Sequence, residues 1–129
     1  MRIVALDYGE KRVGMAVGDT DLRIAFPQSP LPNKFDLIVK AIMEQGAEKV
    51  IVGIPIGLGG KVGRSSKKVV RFVSDLSARL NIPVEMVDER LTTKEAQRRL
   101  SEAGASIEKK KAAVDSMAAA LILEVYFGL

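Results

Sequence analysis

Two rhythms of apolar residues run through the chain. Ile3-Val4-Ala5-Leu6 and Val50-Ile51-Val52-Gly53-Ile54 are unbroken runs, the pattern of strands covered on both faces. Val13, Met15 and Val17 alternate with the small Gly14 and Ala16. The pattern predicts a strand over Arg2 to Tyr8 and a second over Val13 to Gly18, with Lys11-Arg12 in a link short enough for an antiparallel hairpin. A third strand is expected over Leu22 to Phe26, ended by Pro27, Pro30 and Pro32. Val50 to Ile54 and Pro83 to Val87 are the fourth and fifth.

Helical spacing fills the intervals. Phe35, Ile38, Ile42 and Met43 predict a helix over Lys34 to Gln45, capped by Asn33 and stopped by Gly46. Val69, Phe72, Val73, Leu76 and Leu80 make the core stripe of a helix from about Ser65 to Leu80, after a glycine-rich loop over Pro55 to Gly63. Thr92 with Glu95 reads as a capping box for a helix to about Ala103, ended by Gly104. A last helix is expected from about Lys111 to Phe127. A three-strand antiparallel meander followed by crossover units means an α/β fold: a mixed five-stranded sheet flanked by helices, one domain over residues 1–129.

Composition narrows the chemistry. The 129 residues include no His, Cys or Trp, which excludes imidazole bases, thiol nucleophiles and His- or Cys-based zinc sites. Twenty Lys and Arg against sixteen Asp and Glu give a net charge of +4, a balance that suits a polyanionic partner. Met1-Arg2 leads straight into a strand without a signal-peptide pattern, and the longest apolar stretch, Met117 to Leu123, is too short to span a bilayer. With no cysteine, the expectation is a soluble cytoplasmic protein with no membrane partner.

Against this background three acidic positions stand out. Sites in open α/β sheets lie beyond the carboxyl ends of the strands, where Asp7 and the Asp88-Glu89 pair are found. Asp115 shares a helical face with Ala118, Ala119 and Ile122, the face expected to meet the sheet. Singly, each has a plain structural explanation in a turn, a strand flank or a helix start. Together, such carboxylates repel one another unless a cation neutralises them. Mg²⁺ or Mn²⁺ suits all-oxygen ligands, and two such ions about 4 Å apart can activate water and stabilise the leaving oxygen of a phosphodiester.

The same residues resemble a known family. Asp7-Tyr8-Gly9 with Lys11-Arg12, Gly14 and Ala16 looks like the opening motif of the YqgF (RuvX) family, within the ribonuclease H-like superfamily. Val52-Gly53-Ile54-Pro55 with Gly60, Asp88-Glu89-Arg90-Leu91-Thr92-Thr93 with Glu95-Ala96, and Val114-Asp115-Ser116 with Ala118-Ala119, Ile122-Leu123 and Tyr126 match its later blocks in order. The resemblance implies a ribonuclease H-like fold and a metal-dependent nuclease, with Asp7, Asp115 and one or both of Asp88 and Glu89 as its acidic site. Glu89 is favoured as the metal ligand of its pair because it sits just past the strand end. Family members are described as nucleases maturing the 5′ end of the small-subunit ribosomal RNA precursor and as Holliday-junction resolvases. One departure is Ile56-Gly57-Leu58-Gly59-Gly60, where the family often has a polar segment with an acidic residue.

Basic residues mark where nucleic acid would lie. Arg64, Lys67, Lys68 and Arg71 recur at helical spacing roughly opposite the core stripe, a pattern shared by phosphate-binding and plainly solvated faces. Lys109-Lys110-Lys111 precedes Asp115, and Lys11, Arg12 and Arg90 adjoin the acidic motifs. Of the six aromatics only Tyr8 is placed for base stacking, so backbone or shape reading is expected. A nucleotide-binding P-loop fails: no glycine lies five residues before Gly60-Lys61, and Val62 stands where Ser or Thr would hold Mg²⁺. Three functions compete. The leading one is a nuclease acting on precursor ribosomal RNA or branched DNA, with the ribosome as a further partner. The second is an ATP-handling enzyme, which would need a duplicated domain. The third is a non-catalytic nucleic-acid or ribosome-binding module.

Overall fold

The structure, a computed structural model, describes residues 1–54, 64–88 and 107–128; the side chains at 54, 64–66, 88 and 107–115 lie outside the description. Five strands form one sheet in the order β3-β2-β1-β4-β5: β1 Arg2–Asp7, β2 Arg12–Asp19, β3 Ile24–Pro32, β4 Lys49–Ile54 and β5 Val84–Asp88. β1 pairs antiparallel with β2 and parallel with β4, and β4 pairs parallel with β5. This is the expected mixed sheet. Among the described residues the helices are α1 Phe35–Glu44, α2 Arg64–Arg79 and α3 Ile107–Tyr126. The capping box at Thr92 and its helix, the glycine-rich loop, Glu89 and Arg90 lie outside the described residues.

Strand alternation splits the core in two. Val4 and Leu6 join Val50 and Val52 against Ile38, Val39 and Ile42 of α1 and Val69, Phe72, Val73 and Leu76 of α2. Ile3 and Ala5 face the other way with Ala16 and Ile51, onto Ala119, Ala120, Ile122 and Leu123 of α3. The predicted stripe of α2 is buried as expected. No helix among the described residues is long and apolar enough to cross a membrane.

Four expectations are corrected. β3 does not end before the prolines but runs through Pro27 and Pro30 to Pro32. It can do so because it is an edge strand, where a missing N–H is tolerated, and because its pairing with β2 shifts register between Val13 and Met15. Asn33 does not cap α1; Lys34 holds that position without a side-chain hydrogen bond, although Gly46 does stop the helix with φ 66°. Met43, placed in the α1 core stripe by spacing, is 69% exposed, and Val39 is buried instead. The last helix begins at Ile107 rather than near Lys111, so Asp115 lies well inside it.

α3 is clamped to the sheet at its far end. Lys49 Nζ donates to the Tyr126 hydroxyl at 2.6 Å and pairs with Glu85 at 2.9 Å, interactions that hold its ammonium above the usual lysine range. Beside it, a Cβ on Gly18 would stand 2.7 Å from the Ile24 carbonyl oxygen and 3.1 Å from Leu123 Cδ1. Gly18→Val should therefore destabilise the protein by about 2 kcal/mol through overpacking. Urea unfolding checks this; an unchanged midpoint would mean that helix and sheet can separate freely there.

Candidate active site

Asp7 ends β1, and the ladders on both sides fix it. Its register partners are Gly14 on β2 and Gly53 on β4, both buried, so neither neighbouring strand places a side chain beside the half-buried carboxylate. Ile3 and Ala5 face α3, and the period of two puts Asp7 on that same face.

α3 brings Asp115 to the same end. Near its C-terminus Tyr126 meets Lys49 and Phe127 lies against Gly18, and both Lys49 and Gly18 are register partners of Ile3. The helix rises about 16 Å back from Tyr126 to Asp115. The strand rises about 13 Å from Ile3 to Asp7. Helix and strand run antiparallel, so the two acidic positions reach one end of the sheet. The next residue, Ser116, is buried, and its hydroxyl donates to the Gln28 carbonyl on β3. That bond ties the Asp115 turn to the sheet. It escaped the sequence reading because a lone serine after an aspartate carries no periodic signal.

β5 ends there too, at Asp88, which is in register with Ile54. Val84 packs with the α1–α2 cluster and Val87 with the α3 cluster. Among the described residues no three potential ligand side chains are grouped; Glu89 and the side chains of Asp88 and Asp115 lie outside the description.

The turn between β1 and β2 forms the rim. Asn33 Nδ2 donates to the carbonyls of Gly9 at 2.8 Å and Glu10 at 3.3 Å, and the Asn33 main-chain N–H donates to Lys11 at 3.0 Å. The Tyr8 ring packs on Phe72 of α2 with centroids 4.9 Å apart, which commits the expected stacking residue to a protein partner. Lys68 pairs with Glu10 at 2.6 Å and holds that carboxyl below the usual range. Of the predicted basic positions, Lys67, Lys68, Arg71 and Lys11 are exposed, and Arg12 is half-buried at the start of β2. The side chains of Arg64, Lys109 and Lys111 lie outside the description. α2 belongs to the face opposite Asp7, so its stripe and the acidic end are joined only around the rim.

Comparison with known proteins bears on the family and the fold. The family model described as RuvX, Holliday junction resolvase, matches residues 1–128. A protein of Chloroflexus aurantiacus named "Putative pre-16S rRNA nuclease" is 41% identical over 129 residues, covering 96% of this chain and 84% of the relative. A protein of the same name from Syntrophus aciditrophicus is 40% identical over 131 residues, covering 98% and 87%. Among solved structures, Thermus thermophilus RuvC aligns with TM-score 0.57 at 14% identity over 99% of this chain and 97% of its own. The fowlpox virus resolvase, solved with Holliday junction DNA, aligns with TM-score 0.58 at 15% identity and the same coverage. These two likenesses show a ribonuclease H-like fold.

The rim ion pair yields a direct test. The Glu10 carboxyl should titrate below an ordinary glutamate in carboxyl NMR, and Lys68→Ala should return it to the ordinary value. A depressed folded-state value stabilises the protein above the unfolded-state pKa and is lost as pH falls through the folded one. The pair's contribution should accordingly vanish on acidification, and a Glu10 titration untouched by Lys68→Ala would show that the contact does not persist in solution.

Proposed function

The chain belongs to the RuvX family, whose names describe enzymes that cut nucleic-acid phosphodiesters, and we propose that it is a divalent-metal-dependent nuclease processing the 5′ end of the precursor of 16S ribosomal RNA in the cytoplasm. The observation that carries this reading is the arrival of Asp7, the Asp115 segment of α3 and the carboxyl end of β5 at one end of the sheet. The RNA substrate is favoured by the relatives' names at about 40% identity over nearly the whole chain. The family description supports a second reading, resolution of branched DNA by the same residues.

The donor set fits Mg²⁺ or Mn²⁺. All candidate ligands are carboxylates, and the two positions flanking Asp7 are glycines, which leaves lateral room for a hydrated cation and a phosphodiester. Asp7, Glu89 and Asp115 would hold it. Glu89 is preferred to Asp88 because it follows the last residue of β5 in the sequence. Bound there, the ion supplies charge stabilisation for the phosphoryl oxygens and lowers the pKa of water. The protein's own part is to hold carboxylates with two-sided backbone support, so that little reorganisation remains when charge develops. Ser116 holds the Asp115 turn against β3, and the rim steers the phosphate backbone with Lys11, Lys67 and Arg71.

Asp7→Asn keeps the shape but withdraws a full negative charge. In single-turnover cleavage of a precursor ribosomal RNA fragment with Mn²⁺, it should lose a thousandfold or more in rate, on the order of 4 kcal/mol of transition-state stabilisation, with folding intact by circular dichroism. Glu89→Gln should behave alike and Asp88→Asn much more mildly. A folded Asp7→Asn protein that cuts at the wild-type rate removes Asp7 from the mechanism. If wild type cuts neither this RNA nor a four-way DNA junction, the non-catalytic binding module is the better reading.

The exposed α2 stripe yields a second test. Lys67→Ala with Arg71→Ala should shift stability by only about 0.5 kcal/mol, because both side chains are away from the core. Loss of two phosphate contacts should flatten the salt dependence of RNA binding by roughly 1.5 units of slope. An unchanged slope would identify the stripe as merely solvated.

A further inference from the structure

We propose that the Gly9–Lys11 turn is a phosphate-binding lip and that Asn33 is the positioning residue that shapes it. Three successive carbonyls, those of Gly9, Glu10 and Lys11, accept hydrogen bonds from this one residue. None of the described peptides is cis, and a trans peptide points its N–H opposite its C=O. Carbonyls that converge on Asn33 therefore turn the N–H groups of Glu10 and Lys11 away from it. Among the described residues neither N–H has an acceptor. Successive outward N–H groups in a turn make a concavity suited to an anion.

The surroundings favour that use. A glutamate in such a lip would repel phosphate, but the Lys68 ammonium 2.6 Å from Glu10 neutralises it and adds a cation to the rim. The turn is held on its other side by Tyr8 on Phe72. At Gly9 a Cβ would stand 2.4 Å from the Arg12 carbonyl oxygen, so the close approach of the two chain segments requires glycine. The ligand class is the phosphodiester oxygen of a nucleic-acid backbone, held by main-chain donors without reference to base identity. The inference rests on the nucleic-acid reading of the preceding subsection but not on cleavage.

The test is amide NMR in EDTA with a short, mixed-sequence 2′-O-methyl RNA, which binds without being cut. In the wild type the Glu10 and Lys11 amide protons should move downfield along the same binding curve as amides of α2. Asn33→Ala should lose those two shifts, keep the α2 shifts and weaken binding about fivefold, the equivalent of one hydrogen bond of about 1 kcal/mol. Asn33→Asp, similar in size but without the two side-chain donors, should do the same and serves where the alanine variant folds poorly. The lip is refuted if the RNA moves α2 amides while Glu10 and Lys11 stay put, or if both folded Asn33 variants bind as tightly as wild type. If no amide moves, the lip and the nucleic-acid reading fall together. Binding with the expected shifts but no cleavage in Mn²⁺ supports the lip and overturns only the nuclease reading.

Discussion

β1 is hydrogen-bonded along both edges and covered on both faces, and the rest of the arrangement follows from that double confinement. Register with β2 and β4 is fixed over the same residues, so a slip would break two ladders and exchange Ile3 and Ala5 with Val4 and Leu6 between two differently shaped cores. Asp7 inherits its direction from this constraint. Its carboxylate faces α3 because Ile3 and Ala5 do, with glycines as its lateral neighbours. A polar side chain at the end of a strand held this firmly has little freedom to lose when it meets a ligand.

The two faces use different residues. The α1–α2 side is filled by branched and aromatic side chains, including Ile38, Ile42, Phe72 and Leu76. The α3 side contains Ala5, Ala16, Ala119 and Ala120, and the bare Gly18 lets Leu123 and Phe127 approach the backbone. Small residues bring the helix close, which is what delivers Asp115 toward Asp7. The Lys49–Tyr126 contact then fixes the helix along its length.

Much of this was legible in the sequence because burial on both faces writes continuous apolar runs, and these located β1 and β4 almost to the residue. The α2 stripe was equally plain. Two of the misses share a cause: each depended on a neighbour distant in sequence. Prolines at 27 and 30 read as breakers until β3 proves to be an edge strand. Asn33 has the chemistry of a cap, yet its amide is drawn to carbonyls 24 and 23 residues away. Met43 has core spacing, yet it is exposed and Val39 is buried instead. Asp7 and Asp115 stood out in the sequence for the opposite reason, as carboxylates beside residues expected to be buried, and the structure brings both positions to one end of the sheet.

The position of the basic stripe limits how a nucleic acid could be held. Lys67 and Arg71 stand on α2, on one side of the sheet, whereas Asp7 faces α3 on the other. No straight path along one face reaches both, so a backbone in contact with the stripe and the acidic end has to cross the carboxyl edge of the sheet. The β1–β2 turn lies at that edge, fastened to β3 by Asn33 and to α2 by Tyr8 and Glu10. Crossing a rim bends the chain, and bending is least costly for single strands and for branched or unpaired regions. On the proposed function, this separation of cations from carboxylates would favour structured, locally unpaired nucleic acid over a continuous duplex, a property common to a ribosomal RNA precursor end and a DNA junction.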